Sequence, residues 1–313
     1  MLVSVVFSFR DEESNIKELI NRVRAVFLKI NVDYEFIFVN DDSTDRSLEL
    51  LQQERAADDK IKIISMSRCF GVSPCVLAGM KYSTGDAVVY MDSDLQDPPE
   101  LIEKMIAEWQ QGFDVVHTTR TKRHGEHPLK MMVTGWAYKI INFVSEINIK
   151  ENTGDFKLLS RKVVNQILKL DEHDPFMRGL PVWVGFKQTH IYYERDARFA
   201  GEPHFSIFSK GPTKEFIRGI VSYSSSPLYL SFYLGLLTCL VSAFLIVYAL
   251  IIKVLGVSGE GIPSIIIAIS FFSGITMVIN GIMGLYIAKI YEQLKGRPRY
   301  IIADTEGFEV SNQ

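Results

Sequence analysis

Residues 2–42 read LVSVVFSFRDEESNIKELINRVRAVFLKINVDYEFIFVNDD, with two apolar runs on either side of an amphipathic stretch. The runs LVSVVFSF and YEFIFVN are rich in the β-branched and aromatic residues that favour strands. Neither run alternates regularly between polar and apolar positions, which is typical of strands that are buried on both faces of a parallel sheet. The stretch therefore predicts a strand, a helix and a second strand parallel to the first.

The same alternation continues to about Val116. Three more short runs, IKIISMS, DAVVYM and FDVVHT, follow with helical stretches such as PELIEKMIAEWQ between them. This order of elements predicts the fold class α/β, with a mostly parallel sheet covered by helices on both faces. Because ligands of such sheets bind at the carboxyl ends of strands, we expect a site among the residues that follow each run.

Charge and hydropathy limit the classes of function. The 313 residues have a formal net charge of −3, and 47% of them are hydrophobic. A protein that binds nucleic acid through general phosphate attraction needs a basic face, so no nucleic-acid partner is predicted. The three cysteines cannot build a disulfide framework, which fits a reducing, cytosolic setting for the polar part of the chain. The high apolar content indicates that another part lies in a membrane.

Two uncharged apolar runs predict two transmembrane helices. Residues 229–252 and 262–288 contain no Asp, Glu, Lys or Arg, and each run exceeds the ~20 residues that a helix needs to cross a bilayer. Basic residues lie on the outer flanks of this pair: Lys210, Lys214, Arg218, Lys289, Lys295, Arg297 and Arg299. The short hairpin between the runs carries only Lys253 and Glu260, so both ends are expected in the cytoplasm. Small residues in the second run allow close helix contact, within the hairpin or in a homo-oligomer.

The predicted organisation has five parts in a multi-pass protein of the inner (cytoplasmic) membrane. They are a cytoplasmic α/β domain at 1–205, an amphipathic juxtamembrane linker at 206–228, transmembrane helices at 229–255 and 262–288, and a cytoplasmic tail at 289–313. Within the first part, PLKMMVTGWAYKIINFVSEI has the apolar spacing of a one-faced helix. That face packs on the core or lies at a bilayer surface, and the core is the simpler interpretation.

Acidic and polar residues follow four of the predicted strands, in FSFRDEE, NDDSTD, SRCFG and MDSDLQD. Ser43, Thr44 and Asp45 are typical helix caps. In the fourth tail, Asp92, Asp94 and Gln96 offer oxygen ligands of the kind that suits Mg²⁺ or Mn²⁺, in sites that leave positions for substrate phosphates. The alternative is a solvated acidic turn that caps the next helix, which is the preferred interpretation for Asp97.

Several of these motifs together resemble those of the inverting family 2 glycosyltransferases that act on polyisoprenyl phosphates, the bactoprenol glucosyltransferases and dolichyl-phosphate mannose synthases. The motifs are FSFRDEESNI, FVNDDSTDRS, SMSRCFG, LAGMKYSTGDAVVYMDSDLQDPPE, ENTGDFKLLSRKVV, RFAGEP and YIAKIYEQLKGRPRYII. The resemblance covers nearly the whole chain and includes the two apolar runs. It implies a GT-A (Rossmann-like) catalytic domain, a nucleotide-sugar donor, a divalent metal (Mg²⁺ or Mn²⁺), a polyprenyl phosphate acceptor and contact with membrane lipids.

The resemblance also implies roles for residues on the donor side. Asp92, Asp94 and Gln96 match the metal and diphosphate motif, and Asp92 is shared with the nucleotide sugar. Phe9, Asp11 and Asp41 match nucleotide-binding positions. The chain departs from the family pattern at Phe7, Arg10, Asp11 and Asp42, which leaves base preference and ribose contacts open. It departs again at Cys69, Ser73 and Pro74, where the change either alters donor selection or is neutral.

On the acceptor side, the resemblance implies that Arg120 and Arg198 bind the acceptor phosphate, with Lys130 assigned less firmly. Arginine suits this task because its planar fork stays charged and holds phosphate oxygens in pairs. Asp155 matches an acceptor-side carboxylate that accepts a proton, holds a sugar hydroxyl or orients an arginine; the alternative is a cap for the helix near Ser160.

The predicted reaction is a metal-dependent, inverting transfer of a hexose, with glucose as first choice, from a UDP-sugar to polyprenyl (undecaprenyl) phosphate. A phosphate monoester has a second pKa near 6 and is mostly dianionic at neutral pH, so it scarcely needs a strong base. Two alternatives stay open. One is a processive polysaccharide synthase, although the sequence around its tryptophans lacks the Q-x-x-R-W motif. The other is a non-enzymatic membrane scaffold that keeps a sugar-nucleotide fold.

Overall fold

The structure, a computed structural model, describes residues 1–123, 135–136, 139–145, 147–150, 152–195, 210–256 and 261–308. By internal contacts the chain divides into two units. The first comprises residues 1–142, 147–219 and 297–313, and the second comprises residues 143–146 and 220–296.

The first unit is built on one eight-stranded sheet in the order β7-β5-β6-β4-β1-β2-β3-β8. Its strands are β1 (Leu2–Phe9), β2 (Asp33–Asn40), β3 (Ile61–Met66), β4 (Ala87–Asp92), β5 (Val115–Arg123), β6 (Thr153–Ser160), β7 (Gln188–Arg195) and β8 (Ile302–Glu306). Strands β4, β1, β2 and β3 are parallel, as are β5 and β7, whereas β6 and β8 are antiparallel to their neighbours. The predicted α/β class with a mostly parallel sheet is confirmed.

Helices connect the strands: α1 (Ile16–Ile30), α2 (Ser47–Ala57), α3 (Val72–Tyr82), α4 (Leu101–Gln110), α5 (Arg161–Lys169) and α6 (Leu180–Trp183). In α1 the buried residues recur at helical spacing, at Ile16, Leu19, Ile20, Val23, Val26 and Phe27. In β1 every residue after Leu2 is buried, as expected for a strand with neighbours on both faces. The strand order reverses between β1 and β4, so the crevice where such sheets bind ligands lies at the ends of these two strands.

Close packing of α3 on the sheet requires Gly79. A Cβ atom at this position would overlap Val6 Cγ1 and lie 3.3 Å from Val39 Cγ2, both within the buried core. Because overpacked cores cost about 1–3 kcal/mol, we expect Gly79→Ala to lower the free energy of unfolding by about that amount. Thermal unfolding of the purified protein measures the loss. Gly135→Ala is the control, since an added Cβ there meets no atom of the described residues within 4 Å; equal melting temperatures for both variants would contradict the prediction.

The second unit contains two long apolar helices, α8 (Ser226–Val254) and α9 (Ile262–Leu294), and they follow α7 (Lys210–Tyr223) in the chain. Mean hydropathy reaches 2.6 in α8 and 2.1 in α9. Both helices are long and apolar enough to cross a bilayer. The predicted spans at 229–255 and 262–288 coincide with them, except that α8 ends one residue earlier and both helices extend beyond the outer ends of the spans.

Two sequence interpretations differ from the structure. Part of the tail predicted at 289–313 forms β8, which pairs with β3 and closes that edge of the sheet. In the one-faced helix, Ile141 is buried, but Trp136, Ile140 and Phe143 are 64%, 43% and 90% exposed. The core interpretation of that helix is therefore wrong for these three side chains. An apolar face alone does not reveal whether the core or another medium covers it.

Candidate active site

The acidic tail of β4, residues 92–97, presents alternate residues to opposite sides. Ser93, Leu95 and Asp97 are buried, whereas Asp92, Asp94 and Gln96 are half-buried. Leu95 adopts a left-handed backbone with φ of 57° and is 2% exposed, so it anchors the turn in the core. Ser93 Oγ donates to Ser8 O at 3.1 Å, which ties this tail to the end of β1. The tail therefore keeps the three residues predicted as metal ligands on its accessible side.

Electrostatic repulsion acts within this tail. Burial raises the pKa of Asp92 well above its usual range, and the negative charges of Asp155, Asp94 and Asp97 raise it further, against the opposing charge of Arg120. A bound cation would remove this repulsion. Within the described ranges, no group of three or more His, Cys, Asp or Glu side chains is placed to hold a metal. Asp92, Asp94 and Gln96 supply oxygen atoms, which are the ligands that a hard cation prefers.

Asp155 lies in β6, directly across from the acidic tail. Tyr90 of β4 pairs with Lys157 of the antiparallel β6, so two residues further along each strand Asp92 and Asp155 come opposite each other. Asp155 is not a helix cap, because α5 begins at Arg161 and its N-cap is Ser160. The capping alternative for Asp155 is therefore wrong.

Arg178 binds the Asp155 carboxylate through two nitrogens of its guanidinium. Arg178 Nε donates to Oδ1 at 3.1 Å and to Oδ2 at 3.0 Å, and Nη2 donates to Oδ2 at 2.6 Å. Although burial raises the pKa of Asp155, the Arg178 guanidinium outweighs this effect and holds the pKa below its usual range. Met177, the residue before Arg178, is also held in place, because Lys157 Nζ and Tyr90 Oη both donate to Met177 O within 3.5 Å. Asp155 is thus a fixed, ionised carboxylate.

Arg120 is paired with Asp97. Its Nη2 donates to Asp97 Oδ2 at 3.1 Å, and its Nε donates to the Tyr193 hydroxyl at 3.0 Å. Asp97 is 2% exposed and α4 begins only at Leu101, so the interpretation of Asp97 as a solvated helix cap is wrong. Arg198 and Lys130 lie outside the described residues, as do the side chains of Arg123 and Arg195.

Asp41 connects the ends of β2 and β3. Its carboxylate accepts hydrogen bonds from Phe70 N at 2.6 Å, Gly71 N at 2.9 Å and Cys69 Sγ at 3.3 Å. Phe9 O accepts a hydrogen bond from Asp41 N at 3.0 Å, but the Phe9 ring is 3% exposed in the core. The Phe9 ring thus packs in the core, and its predicted contact with the nucleotide stays a prediction.

Asp11 joins the ends of β1 and β2. Its Oδ1 accepts a hydrogen bond from Thr44 N at 2.7 Å, and Ser43 Oγ accepts one from Asp11 N at 3.1 Å. The hydrogen bonds from the backbone and side chain of Thr44, together with Asp45 N–H and the charge of Arg10, hold the pKa of the Asp11 carboxyl below its usual value. Of the three predicted caps, Asp45 accepts from Ser47 N at 3.0 Å at the start of α2, whereas Ser43 and Thr44 bind Asp11.

Comparison with known proteins decides the family. Residues 4–168 match the family model described as "Glycosyl transferase family 2". The chain belongs to glycosyltransferase family 2. This membership confirms the resemblance that the motifs indicated, and it makes the protein a glycosyltransferase.

Relatives match this family 2 glycosyltransferase over nearly their full lengths. The "Uncharacterized glycosyltransferase YkcC" of Bacillus subtilis (strain 168) is 40% identical over 309 residues, which cover 98% of this chain and 94% of the relative. The "Bactoprenol glucosyl transferase" of Shigella phage SfX is 36% identical over 306 residues, covering 96% of this chain and 99% of that protein. The "Prophage bactoprenol glucosyl transferase homolog" of Escherichia coli (strain K12) is 35% identical, covering 96% and 98%.

Three residues of this glycosyltransferase site were missed by sequence reasoning: Asp97, Arg178 and Tyr193. Asp97 was noticed but taken as a cap, because its partners Arg120 and Tyr193 come from distant strands. Arg178 did have a local signal. It stands between the buried residues Phe176 and Met177 on one side and buried Leu180 on the other, and an arginine in such a segment is rare unless it is paired.

Proposed function

We propose that this glycosyltransferase transfers a hexose, with glucose as first choice, from a UDP-sugar to polyprenyl (undecaprenyl) phosphate, with inversion at the anomeric carbon. The observation that carries the proposal is the meeting of the acidic β4 tail with the Asp155–Arg178 pair at the point where the strand order reverses. Relatives named bactoprenol glucosyl transferase support the choice of acceptor and sugar.

On the donor side, Asp92, Asp94 and Gln96 would hold Mg²⁺ or Mn²⁺ against the diphosphate of the nucleotide sugar. When bound, the metal supplies a Lewis acid that stabilises the negative charge of the leaving diphosphate. Asp11 and Asp41 brace the loops at the ends of β1, β2 and β3 through hydrogen bonds to backbone N–H groups. We assign these two residues to the nucleotide side of the cleft, where they keep those loops in place.

On the acceptor side, the phosphate approaches as a dianion and needs orientation more than a base. Arg120 offers a fixed guanidinium to this phosphate, and Arg198 is proposed as a second cation. Because Arg178 keeps Asp155 ionised, Asp155 serves as a hydrogen-bond acceptor for a hydroxyl or orients a cation; it is poorly suited to accept a proton. A single displacement by the phosphate then converts an α-linked donor into a β-linked product.

The two apolar helices support a membrane location for this reaction. We propose that α8 and α9 cross the inner membrane and that the first unit and both termini are cytoplasmic, because basic residues flank the outer ends of the helix pair. Lys289 Nζ donates to Ser222 Oγ at 2.7 Å, so within the second unit a lysine of α9 is joined to the end of α7. A protein with two spans in the inner membrane would meet its lipid acceptor in the leaflet that faces the cytoplasm.

A transfer assay with the full chain tests this function. Purified protein receives one labelled nucleotide sugar at a time, among them UDP-glucose, UDP-galactose, UDP-N-acetylglucosamine and GDP-mannose, together with undecaprenyl phosphate and Mn²⁺. The expected product is a lipid that carries one labelled sugar, lost with EDTA and regained with excess Mn²⁺. A product with several sugars would favour a processive synthase. If protein that unfolds cooperatively transferred sugar from none of these donors, the result would favour a scaffold and overturn the proposal.

A further inference from the structure

Arg120 is a buried cation whose partners were not predicted. Its side chain is 10% exposed and that of Asp97 is 2% exposed. A charge with so little solvent is costly unless it is paired and hydrogen-bonded. A guanidinium at this position therefore requires the pairing with Asp97. The geometry of the pair decides which N–H groups of the guanidinium a ligand can still bind.

Tyr193 completes a closed ring of hydrogen bonds. Its hydroxyl accepts a hydrogen bond from Arg120 Nε at 3.0 Å and donates one to Asp97 Oδ1. Arg120 Nη2 donates to Asp97 Oδ2 at 3.1 Å. Within the part of the chain that the structure describes, the hydrogen bonds of the Arg120 guanidinium use Nε and Nη2, and none uses Nη1. The ring thus uses Nε and Nη2 of the guanidinium and leaves Nη1 for a ligand.

Three separate segments build this arrangement. Arg120 and Tyr193 are register partners on the parallel strands β5 and β7, and Asp97 comes from the β4 tail. Gly154 of β6 lies beneath the guanidinium, because a Cβ added there would be 3.2 Å from Arg120 Nη2. Absence of a side chain at this position lets the guanidinium lie against the strand. The Arg120 guanidinium is therefore positioned by its contact with Gly154 as well as by its hydrogen bonds to Asp97 and Tyr193.

We propose that Tyr193 is a positioning residue that acts through Arg120, and that its hydroxyl holds the guanidinium so that Nη1 serves the acceptor phosphate. By donating to Asp97, the hydroxyl also takes up part of the carboxylate's hydrogen-bonding capacity, so that Asp97 competes less with the phosphate for Arg120. A phenyl ring would preserve the packing but not this function. The inference rests on the proposed function, since it names a further residue of the acceptor subsite.

The neighbouring tyrosine supplies a matched test. Tyr193→Phe is compared with Tyr192→Phe, which changes a 52% exposed residue whose hydroxyl accepts from Lys150. In transfer assays we expect Tyr193→Phe to raise the KM for undecaprenyl phosphate about tenfold, the effect of one hydrogen bond to a charged group. The KM for the sugar nucleotide should stay within about twofold, and Tyr192→Phe should resemble wild type in both. A loss shared equally by both substrates would contradict the inference.

A double-mutant cycle tests whether Tyr193 acts through Arg120. In an Arg120→Gln background, Tyr193→Phe should cause no further rise in the KM for the acceptor. An undiminished effect there would show that the hydroxyl works by another route. Gly154→Ala should displace the same guanidinium and raise the KM for the acceptor in the same selective way. This variant replaces Tyr193→Phe in the test if Tyr193→Phe has a much lower melting temperature than wild type. Absence of transfer by wild type would count against the proposed function, whereas wild-type transfer with an unchanged Tyr193→Phe would overturn this inference alone.

Discussion

Replacing Asp94 with Asn is expected to lower sugar transfer by about three orders of magnitude, the scale on which loss of charge stabilisation slows a reaction. Asp92→Asn should have a similar effect. Both carboxylates are half-buried on the accessible side of the β4 tail, and neither an amide nor solvent replaces the charge that a divalent cation needs there. Activity with saturating Mn²⁺ and UDP-sugar measures the loss.

A second readout separates this role from a folding defect. Because burial and neighbouring carboxylates raise the pKa of Asp92, its ionised form destabilises the metal-free protein at neutral pH. Asp92→Asn should therefore melt at a higher temperature than wild type in EDTA while it loses the stabilisation that Mn²⁺ with UDP confers. Asp59→Asn, an exposed change before β3, is the control. Full transfer by Asp94→Asn would show that the metal assignment is wrong.

The fold was largely predictable because its elements carry local signals. The runs that became β1 to β4 are rich in apolar β-branched and aromatic residues, and the buried residues of α1 repeat at helical spacing. The absence of charge over each apolar run was enough to indicate α8 and α9. In contrast, β8 is short and mostly exposed, with polar residues such as Asp304 and Thr305, and it forms a strand only because β3 offers an unpaired edge.

The site was predictable where residues act in one stretch and not where partners meet across strands. Asp92, Asp94 and Gln96 lie within five residues, so their shared placement follows from one turn. Asp97 and Tyr193 are separated by 96 positions, and Asp155 and Arg178 by 23. The sheet order, with β6 and β5 between β4 and β7, brings Tyr193 to Asp97, and the segment between α5 and α6 brings Arg178 to Asp155. Propensity and periodicity carry no information on such pairings.

The Asp155–Arg178 pair leads to the second large expected effect. We expect Arg178→Gln to lower transfer about 100-fold, although no motif in the sequence assigned this residue a role, because a misplaced orienting group costs about that factor. Asp155→Asn should cost at least as much. The double variant should be little worse than Asp155→Asn alone, since residues that act as a unit show strongly non-additive losses. Independent, multiplying losses would contradict the idea that Arg178 works by fixing Asp155.

A second bidentate pair in the same unit provides the control. Arg22 donates to Glu100 through Nε at 3.0 Å and Nη2 at 2.7 Å, and the Glu100 side chain is 56% exposed. Exposed pairs contribute little, so Arg22→Gln should leave transfer within about twofold of wild type. Arg178→Lys keeps the charge but not the paired hydrogen bonds, and it should recover only part of the loss. If Arg178→Lys restored full activity, charge alone would suffice, and the fixed orientation of Asp155 would not be what the reaction needs.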